Sequence, residues 1–262
     1  MASTVRINRL ISAALTCALC SVALAANAAP SIAVVSTGND GQATARLAGW
    51  LNATGNFSAV AAIDRTTISY GDLSGYDEVL FFTNVGGTPT ASGDALATYV
   101  QTGRRLVIAP FSFGQGGDNA VGGAFLSGGY SPFRTVGPSL YSSATIGSTD
   151  GSGFFSGVSS VTGFYRDNVV ASTGATLRGS WSDGAALVAT KGNVVGVNLF
   201  PDDSFDHVSG DNRQLFVDAL ISPIPEPSAA LSLLAGLMLM GGLQVATARR
   251  KPATRAIGVA RQ

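Results

Sequence analysis

Between residues 228 and 248 the chain reads SAALSLLAGLMLMGGLQVATA, 21 residues without a single charge. As a helix rising 1.5 Å per residue this segment would be about 31 Å long, the thickness of a bilayer's hydrocarbon core. It is expected to cross a membrane, which removes it from whatever soluble domain the rest of the chain forms. Arg249, Arg250, Lys251, Arg255 and Arg261 follow it, whereas only Glu226 precedes it closely. Basic residues stay on the cytoplasmic side, which directs the tail inward and the main domain outward. A buried core helix is the competing reading. Against it, Gly236, Gly241 and Gly242 lower helix propensity in water, and the basic tail would have no place to go.

The first 28 residues point the same way. Arg6 and Arg9 precede an apolar run from Leu10 to Ala26, and Ala26-Asn27-Ala28 supplies the small-residue pattern of a cleavage site. This is the layout of a secretory signal peptide cut after Ala28. As a permanent anchor the run falls short of the ~20 residues a span needs. Cys17 and Cys20, the two cysteines of the chain, both lie inside it. Their C-x-x-C spacing has neither the βαβ context of a redox pair nor a partner His for a metal, and no convincing lipobox surrounds either one. The mature protein is therefore expected to lack disulfides, a Cys nucleophile and thiolate metal ligands. The organisation that follows is a signal peptide over 1–28, an α/β domain over 29–222 and a C-terminal segment over 223–262.

The 16 basic and 16 acidic residues cancel over the whole chain, but they are unevenly placed. Between Ala29 and Ser222 nine basic residues face fifteen acidic ones, a net charge of −6. An acidic middle without a basic stripe excludes nucleic acid as a partner, since phosphates demand clustered Lys and Arg. With 46% hydrophobic and 12% charged residues, the chain is not of the disordered class.

Immediately ahead of the apolar segment stands Ile224-Pro225-Glu226-Pro227-Ser228. Two prolines around a glutamate make a stiff, extended stretch that cannot join a helix, which is what a processing enzyme needs in order to grip a chain. Pro225-Glu226-Pro227, then one apolar span over 228–248 rich in Leu, Gly and Met, then Arg249-Arg250-Lys251 at the head of a basic tail over 249–262, resembles the PEP-CTERM sorting signal. The resemblance covers about 30 residues at the C-terminus. It implies a Gram-negative bacterium that makes extracellular polysaccharide, anchoring in the inner membrane through 228–248, and recognition and cleavage by an exosortase. The cell surface or the extracellular medium would be the destination.

The mature domain begins as alternating strands and helices. Residues 31–36 form a short apolar run fit for a buried strand, and 42–52 place Leu47, Trp50 and Leu51 at helical spacing. A weaker strand over 57–63 and a strong one over 76–83 (YDEVLFFT) follow. Next come a helix over 92–101 capped by Ser92, and a strongly apolar strand over 105–111 (RLVIAPF). Short connections between such elements imply a parallel sheet covered by helices on both faces. From 114 to 179 the pattern dissolves into Gly, Ser and aromatic residues, with no helix expected. Order returns with two apolar runs, 185–189 and 194–200, around Lys191-Gly192-Asn193, which is a hairpin signal. A closing helix over 211–221 carries Leu215, Phe216, Ala219 and Leu220 on one face, with Ser209 or Asp211 as its cap. The YDEVLFF strand, the GDALATYVQTGRRLVIAPF unit, the VVGVNLFP strand and the DNRQLFVDALI helix together resemble the flavodoxin-like three-layer domain of ThuA-like proteins and class I glutamine amidotransferases. In the amidotransferases the nucleophile is a Cys, which the mature chain lacks, so that chemistry does not carry over. The fold class expected is thus α/β, a three-layer flavodoxin-like parallel sheet with a late β-hairpin.

Candidate chemistry is sparse. Pro110-Phe111-Ser112-Phe113-Gly114 follows a buried strand and matches the G-x-S-x-G nucleophile elbow except at its first position. Ser112, then Asp202 or Asp203, then His207 also run in the order of an α/β-hydrolase triad, in which an imidazole takes the hydroxyl proton and a carboxylate orients the imidazole. The bland alternative is a strand-end serine and a solvent-exposed histidine. Asp202, Asp203, Asp206 and Asp211 crowd one loop and offer oxygen ligands for Ca²⁺, though without EF-hand spacing. A solvated acidic loop is the reading preferred, and no metal is expected. Gly38-Asn39-Asp40-Gly41 joins the first strand to the first helix but lacks G-x-G-x-x-G, so a tight turn is expected and no cofactor. If the topology holds, Asn39, Asn84, Ser112 and Asp202 line one cleft outside the carboxyl ends of the strands. Trp50, Trp181, Phe154, Phe155, Phe164 and Tyr165 are candidates for a sugar-stacking surface, with Trp50 read as core. The reading these residues favour is an exported binding or structural module linked to extracellular polysaccharide, not an enzyme. The alternative is a secreted serine hydrolase built on Ser112, His207 and Asp202 or Asp203.

Overall fold

Four short runs of apolar residues, 32–35, 79–82, 106–108 and 194–197, define the centre of the domain, and all but Gly196 are among its most deeply buried apolar residues. Strands hidden on both faces are the natural material of a parallel sheet. The computed structural model describes residues 28–38, 40–84, 90–113, 119–204 and 207–223. All but the last residue of the expected signal peptide over 1–28, together with Asn39, Asp206, the Pro225-Glu226-Pro227 motif, the apolar segment 228–248 and Arg249, Arg250 and Lys251, lies outside them. Met1–Ser222 and Pro223–Gln262 are separate units, and every described element belongs to the first. Among the described residues no helix is long and apolar enough to cross a membrane.

In chain order the first elements are β1 (Ser31–Thr37), α1 (Gly41–Ala53), β2 (Ala59–Asp64), α2 (Tyr70–Leu73), β3 (Glu78–Thr83), α3 (Thr90–Gln101) and β4 (Arg105–Ile108). They are followed by α4 (Gly123–Ser127), β5 (Phe133–Thr135), β6 (Leu140–Thr149), β7 (Val161–Arg166), β8 (Val169–Ala171) and β9 (Thr176–Trp181). The last are β10 (Ala186–Lys191), β11 (Val194–Val197), β12 (Ser209–Gly210) and α5 (Asn212–Ile221). Ten strands form one sheet in the order β12-β7-β6-β9-β10-β11-β4-β3-β1-β2, and β5 pairs with β8 in a second.

The run β2-β1-β3-β4-β11 is parallel throughout, with Val35 beside Phe81, Phe81 beside Ile108 and Leu106 beside Val194. This is the 2-1-3-4-5 order of flavodoxin-like sheets, and its direction of travel reverses between β1 and β3. Side chains alternate across a strand. Ala33, Val35, Val79, Phe81, Leu106 and Ile108 accordingly share a core with Leu96, Tyr99 and Val100 of α3 and Phe125 of α4. Ile32, Val34, Leu80 and Val107 are equally buried but stand outside that cluster, as do Leu47 and Leu51 of α1 and Leu215 and Phe216 of α5. These residues form the core of the opposite face. Arg105, at the start of β4, donates to the carbonyls of Ala219, at 3.3 Å, and Leu220, placing a cation where the closing helix exposes its unpaired acceptors.

The expected hairpin is present as β10 and β11, with Gly192 at φ +55° in its turn. Beyond β10, however, the sheet turns antiparallel through β9, β6, β7 and β12. The parallel sheet with a late hairpin expected from the sequence is therefore found, with an antiparallel extension that the sequence did not disclose. The described part of 114–179, which showed no pattern, contains four strands, most of β9 and the short α4. These strands are broken by bulges and keep one face wet, so the alternation is interrupted before it can be read. One cap assignment changes, and another holds in position but not in its side-chain bond. Ser92 lies inside α3, fully buried, and its Oγ accepts the N–H of Ile68 at 3.1 Å. Asp211 holds the cap position of α5 but turns its carboxylate to the N–H groups of Ser159 and Ser160 and the hydroxyl of Ser159.

Candidate functional site

Four loops leave the carboxyl ends of the parallel strands, and they meet. Asp40 follows β1, Asn84 follows β3, Phe111 follows β4 and Phe200 follows β11. Asn84 Nδ2 donates to Asp40 Oδ2 at 2.8 Å, tying together the two loops that flank the reversal point of the sheet. Thr83 Oγ1 donates to the carbonyl of Asn119 at 2.9 Å, and Asn119 Nδ2 returns a bond to the carbonyl of Asn84 at 3.1 Å. The N–H of Phe111 donates to the carbonyl of Thr83 at 3.0 Å. Held this way, Asn84, Phe111 and Phe200 line a small open cleft of about 70 Å³ together with Tyr165, which arrives from β7 in the antiparallel half.

The cleft is part of a larger aromatic cluster. Ring centroids lie 6.0 Å apart for Phe111 and Phe200, 6.4 Å for Tyr165 and Phe200, and 6.1 Å for Phe111 and Tyr141. Phe82 meets Phe200 edge-on at 5.7 Å, and Tyr141 of β6 meets Tyr165 at 6.3 Å. Phe111 and Phe200 are nearly buried, Tyr165 is half-buried and Tyr141 is 61% exposed. Phe82 and Tyr165 pack edge to face on Phe200, as Tyr141 does on Tyr165, whereas Phe111 lies tilted against Tyr141 and Phe200.

The acidic loop behind this rim is occupied by arginines. Asp202 is fully buried and accepts from Arg46 through Nη2 and, at 3.4 Å, Nε, and from the N–H of Ser204 at 3.1 Å. Burial alone would raise its carboxyl, but the bonds from Arg46 and Ser204 outweigh it and hold the group below the usual range. Asp203 takes a two-pronged bond from Arg213, at 2.7 Å through Nε and 3.2 Å through Nη2. Asp211 serves Ser159 and Ser160. Three of the four carboxylates read as cation ligands thus have separate partners, and the fourth, Asp206, is outside the described residues. Among those residues no group of three or more His, Cys, Asp or Glu side chains comes together as a metal would require.

Ser112 is buried, and its Oγ has no hydrogen-bond partner among the described residues. His207 is exposed, with a positive φ of 75°, and its ring lies 5.0 Å from that of Phe164. Neither bond of a triad is formed: Ser112 Oγ meets no imidazole, while Asp202 and Asp203 bond guanidinium groups. A nucleophile elbow also needs a helix at its back. Here residues 119–122 are not helical, and α4 begins only at Gly123.

The aromatic candidates divide. Trp181 and Phe154 are core residues, 1% exposed. Trp181 Nε1 donates to the carbonyl of Asn198 at 3.1 Å, and the guanidinium of Arg166 sits 5.1 Å from its ring. Arg166, itself fully buried, reaches Asp183 at 2.9 Å and the carbonyl of Ser142 at 2.8 Å. The neighbouring Asp167 is equally buried, which pushes its carboxyl up against the bonds it accepts from Ser139 and the N–H of Phe113. Trp50 is half-buried under Arg213, 5.9 Å from its ring, and so is not the core residue expected. Of the expected cleft residues, Asn84 lines the cleft. Ser112 directly follows a lining residue, Asp202 is buried against Arg46, and Asn39 is outside the described residues. Phe111, Phe200 and Tyr141 went unread, although Pro110-Phe111 and Phe200-Pro201 each stop an apolar run with a proline beside a ring.

Strand order and cleft position define a flavodoxin-like α/β domain with an antiparallel extension. No family model matches the sequence, and no curated protein does. Solved structures do match. The chain is similar to the cytoplasmic protein STM3548 from Salmonella typhimurium, at 10% identity and TM-score 0.53, over 72% of this chain and 97% of that one. It is similar to the mmIFT52 N-terminal domain, at 10% identity and TM-score 0.52, over 75% and 100%. A ThuA-like protein from Parabacteroides merdae ATCC 43184 matches at 14% identity and TM-score 0.50, over 76% and 94%. At these identities the likeness is one of fold, and the ThuA-like fold expected from the sequence is found.

Proposed function

We propose that this chain is an exported bacterial envelope protein, sorted by a PEP-CTERM signal, whose α/β domain binds a ligand associated with extracellular polysaccharide and does not catalyse a reaction. The signal peptide over 1–28 and the ordered tail of Pro225-Glu226-Pro227, the apolar span 228–248 and Arg249-Arg250-Lys251 support the route. On this reading the chain is first anchored in the inner membrane with its domain outside. An exosortase then recognises the tail and hands the protein to the surface or the medium.

The observation that carries the binding half is the composition of the cleft: three aromatic rings and one amide, with no nucleophile and base in contact among the described residues. Ligand sites are built this way, from apolar walls and a few placed polar groups. The second reading, a secreted serine hydrolase, draws on the unpartnered Ser112 Oγ. A fluorophosphonate probe that labels activated serines separates the two. The binding reading expects no labelling of the full-length protein. Labelling that maps to Ser112 and disappears in His207→Ala would establish the hydrolase.

A further inference from the structure

We infer that the cleft lined by Asn84, Phe111, Tyr165 and Phe200 is a binding site for one neutral hexopyranose ring. This assignment rests on the binding reading above and supplies its ligand class.

Size is the first argument. The cleft holds about 70 Å³ of cavity space, far below the roughly 300–1,000 Å³ of sites that enclose drug-sized ligands. It can seat one face of a single six-membered ring against its walls and cannot enclose an extended cofactor. Shape is the second. An aromatic face carries partial negative charge and attracts the weakly positive C–H groups on the flat side of a pyranose. Tyr165 is half-buried at the cleft and the exposed Tyr141 packs against it at 6.3 Å, so ring surface continues from the wall to the mouth. A sugar also needs a partner for its hydroxyls. Asn84 meets that need: its Nδ2 is fixed on Asp40 Oδ2, leaving its Oδ1 as an acceptor.

Charge is the third argument, and it decides between sugars. Among the described residues no cationic side chain lines the cleft. The guanidinium on this rim, that of Arg46, is bonded to Asp202 and feels Asp40 and Asp203 as well. An incoming carboxylate or phosphate would meet Asp40 beside Asn84 with no free cation to offset it. The site therefore takes a neutral hexose and rejects a uronate or a sugar phosphate.

The test is saturation-transfer NMR on the full-length protein with methyl β-D-glucopyranoside, methyl β-D-galactopyranoside, methyl α-D-mannopyranoside, D-glucuronate and indole as separate probes. Transfer to the ring C–H protons of at least one methyl pyranoside is expected, with glucuronate at least tenfold weaker. Tyr165→Ala should weaken binding roughly tenfold, the loss of one ring contact. Tyr141→Ala, at an exposed position that leaves the fold intact, should weaken it roughly threefold. The inference is overturned if no pyranoside receives saturation, if glucuronate binds as tightly as the glucoside, or if neither variant alters the signal. Indole bound in place of the pyranosides, and lost in Tyr165→Ala, would overturn the sugar assignment while leaving a binding cleft. Serine labelling at Ser112 would instead overturn the binding reading itself.

Discussion

The parallel and antiparallel halves of the large sheet are held by different physics. In the parallel half, β1, β3, β4 and β11 are largely apolar and hidden on both faces, so burial dominates in fixing them. In the antiparallel half β6 is mostly exposed, and order comes from particular contacts. Arg166 lies against Trp181, while Asn198 donates to the carbonyls of Asp167 and Ala186 and accepts the N–H of Asp167. Asn198 directly follows β11, so this knot joins the two halves. The cleft lies across the same joint, with Asn84, Phe111 and Phe200 from one half and Tyr165 from the other. A stable parallel scaffold thus carries one wall, and a contact-dependent extension brings the other.

Asn198→Ala should break this arrangement most severely. It strands the buried N–H and carbonyl of Asp167 and the carbonyl of Ala186, at a cost of about 3 kcal/mol. Denaturant unfolding followed by hydrogen exchange should show β6, β7 and β9 losing protection before β1, β3 and β4. Simultaneous loss would mean that the halves do not differ.

A pH profile of comparable size belongs to the parallel half. Burial raises Glu78 to about 7, and Arg105 at 3.9 Å only partly opposes it. A carboxyl raised in the folded state contributes stability that is complete below its unfolded value near 4.5 and is lost as pH rises through about 7. The domain should therefore be less stable at pH 8 than at pH 5, by on the order of 2–3 kcal/mol from this group. Asp72, Asp77 and Asp150, held low, act oppositely and only at more acidic pH. The raised carboxyls of Asp167 and Asp218 act in the same sense; urea unfolding of Glu78→Gln should therefore reduce the decline between pH 5 and 8 without abolishing it, and an unchanged profile would place its origin elsewhere.

The smallest effects come from one substitution made in each half. A Cβ at Gly163 would stand 2.7 Å from both Leu199 Cδ1 and Trp181 Cη2, so Gly163→Ala should destabilise by about 1–3 kcal/mol. A Cβ at Gly49, on the exposed side of α1, meets nothing within 4 Å. There Gly49→Ala should stabilise by about 0.5–1 kcal/mol. Thermal melts of both variants would read this opposite sign, and a shared sign would remove the contrast.

The same difference decides what the sequence discloses. A strand buried on both faces must be a continuous apolar run, so β1, β3, β4 and β11 are legible in VLFF, LVI and their like, and α1 and α5 follow from 3.6-residue spacing. Residues 114–179 offered no such signal, because their register rests on glycines beneath Trp181 and on bulges in β6. The site was half legible. Asn84 follows from strand ends and topology, whereas Phe111 and Phe200 read as strand residues and Tyr141 as part of an unpatterned loop. Trp181 and Phe154 show the converse: aromatic residues in a polar stretch look like a surface until the fold buries them.

The central claim is that the domain is delivered outside the cell by signals at its two ends. Its most direct test is the intact mass of the protein isolated from its own cells, measured separately in membrane and released fractions. The account predicts a released species that begins near Ala29 and ends between Pro225 and Ser228. A chain that retains residues 1–28, or that keeps 228–262 in every fraction, would contradict it.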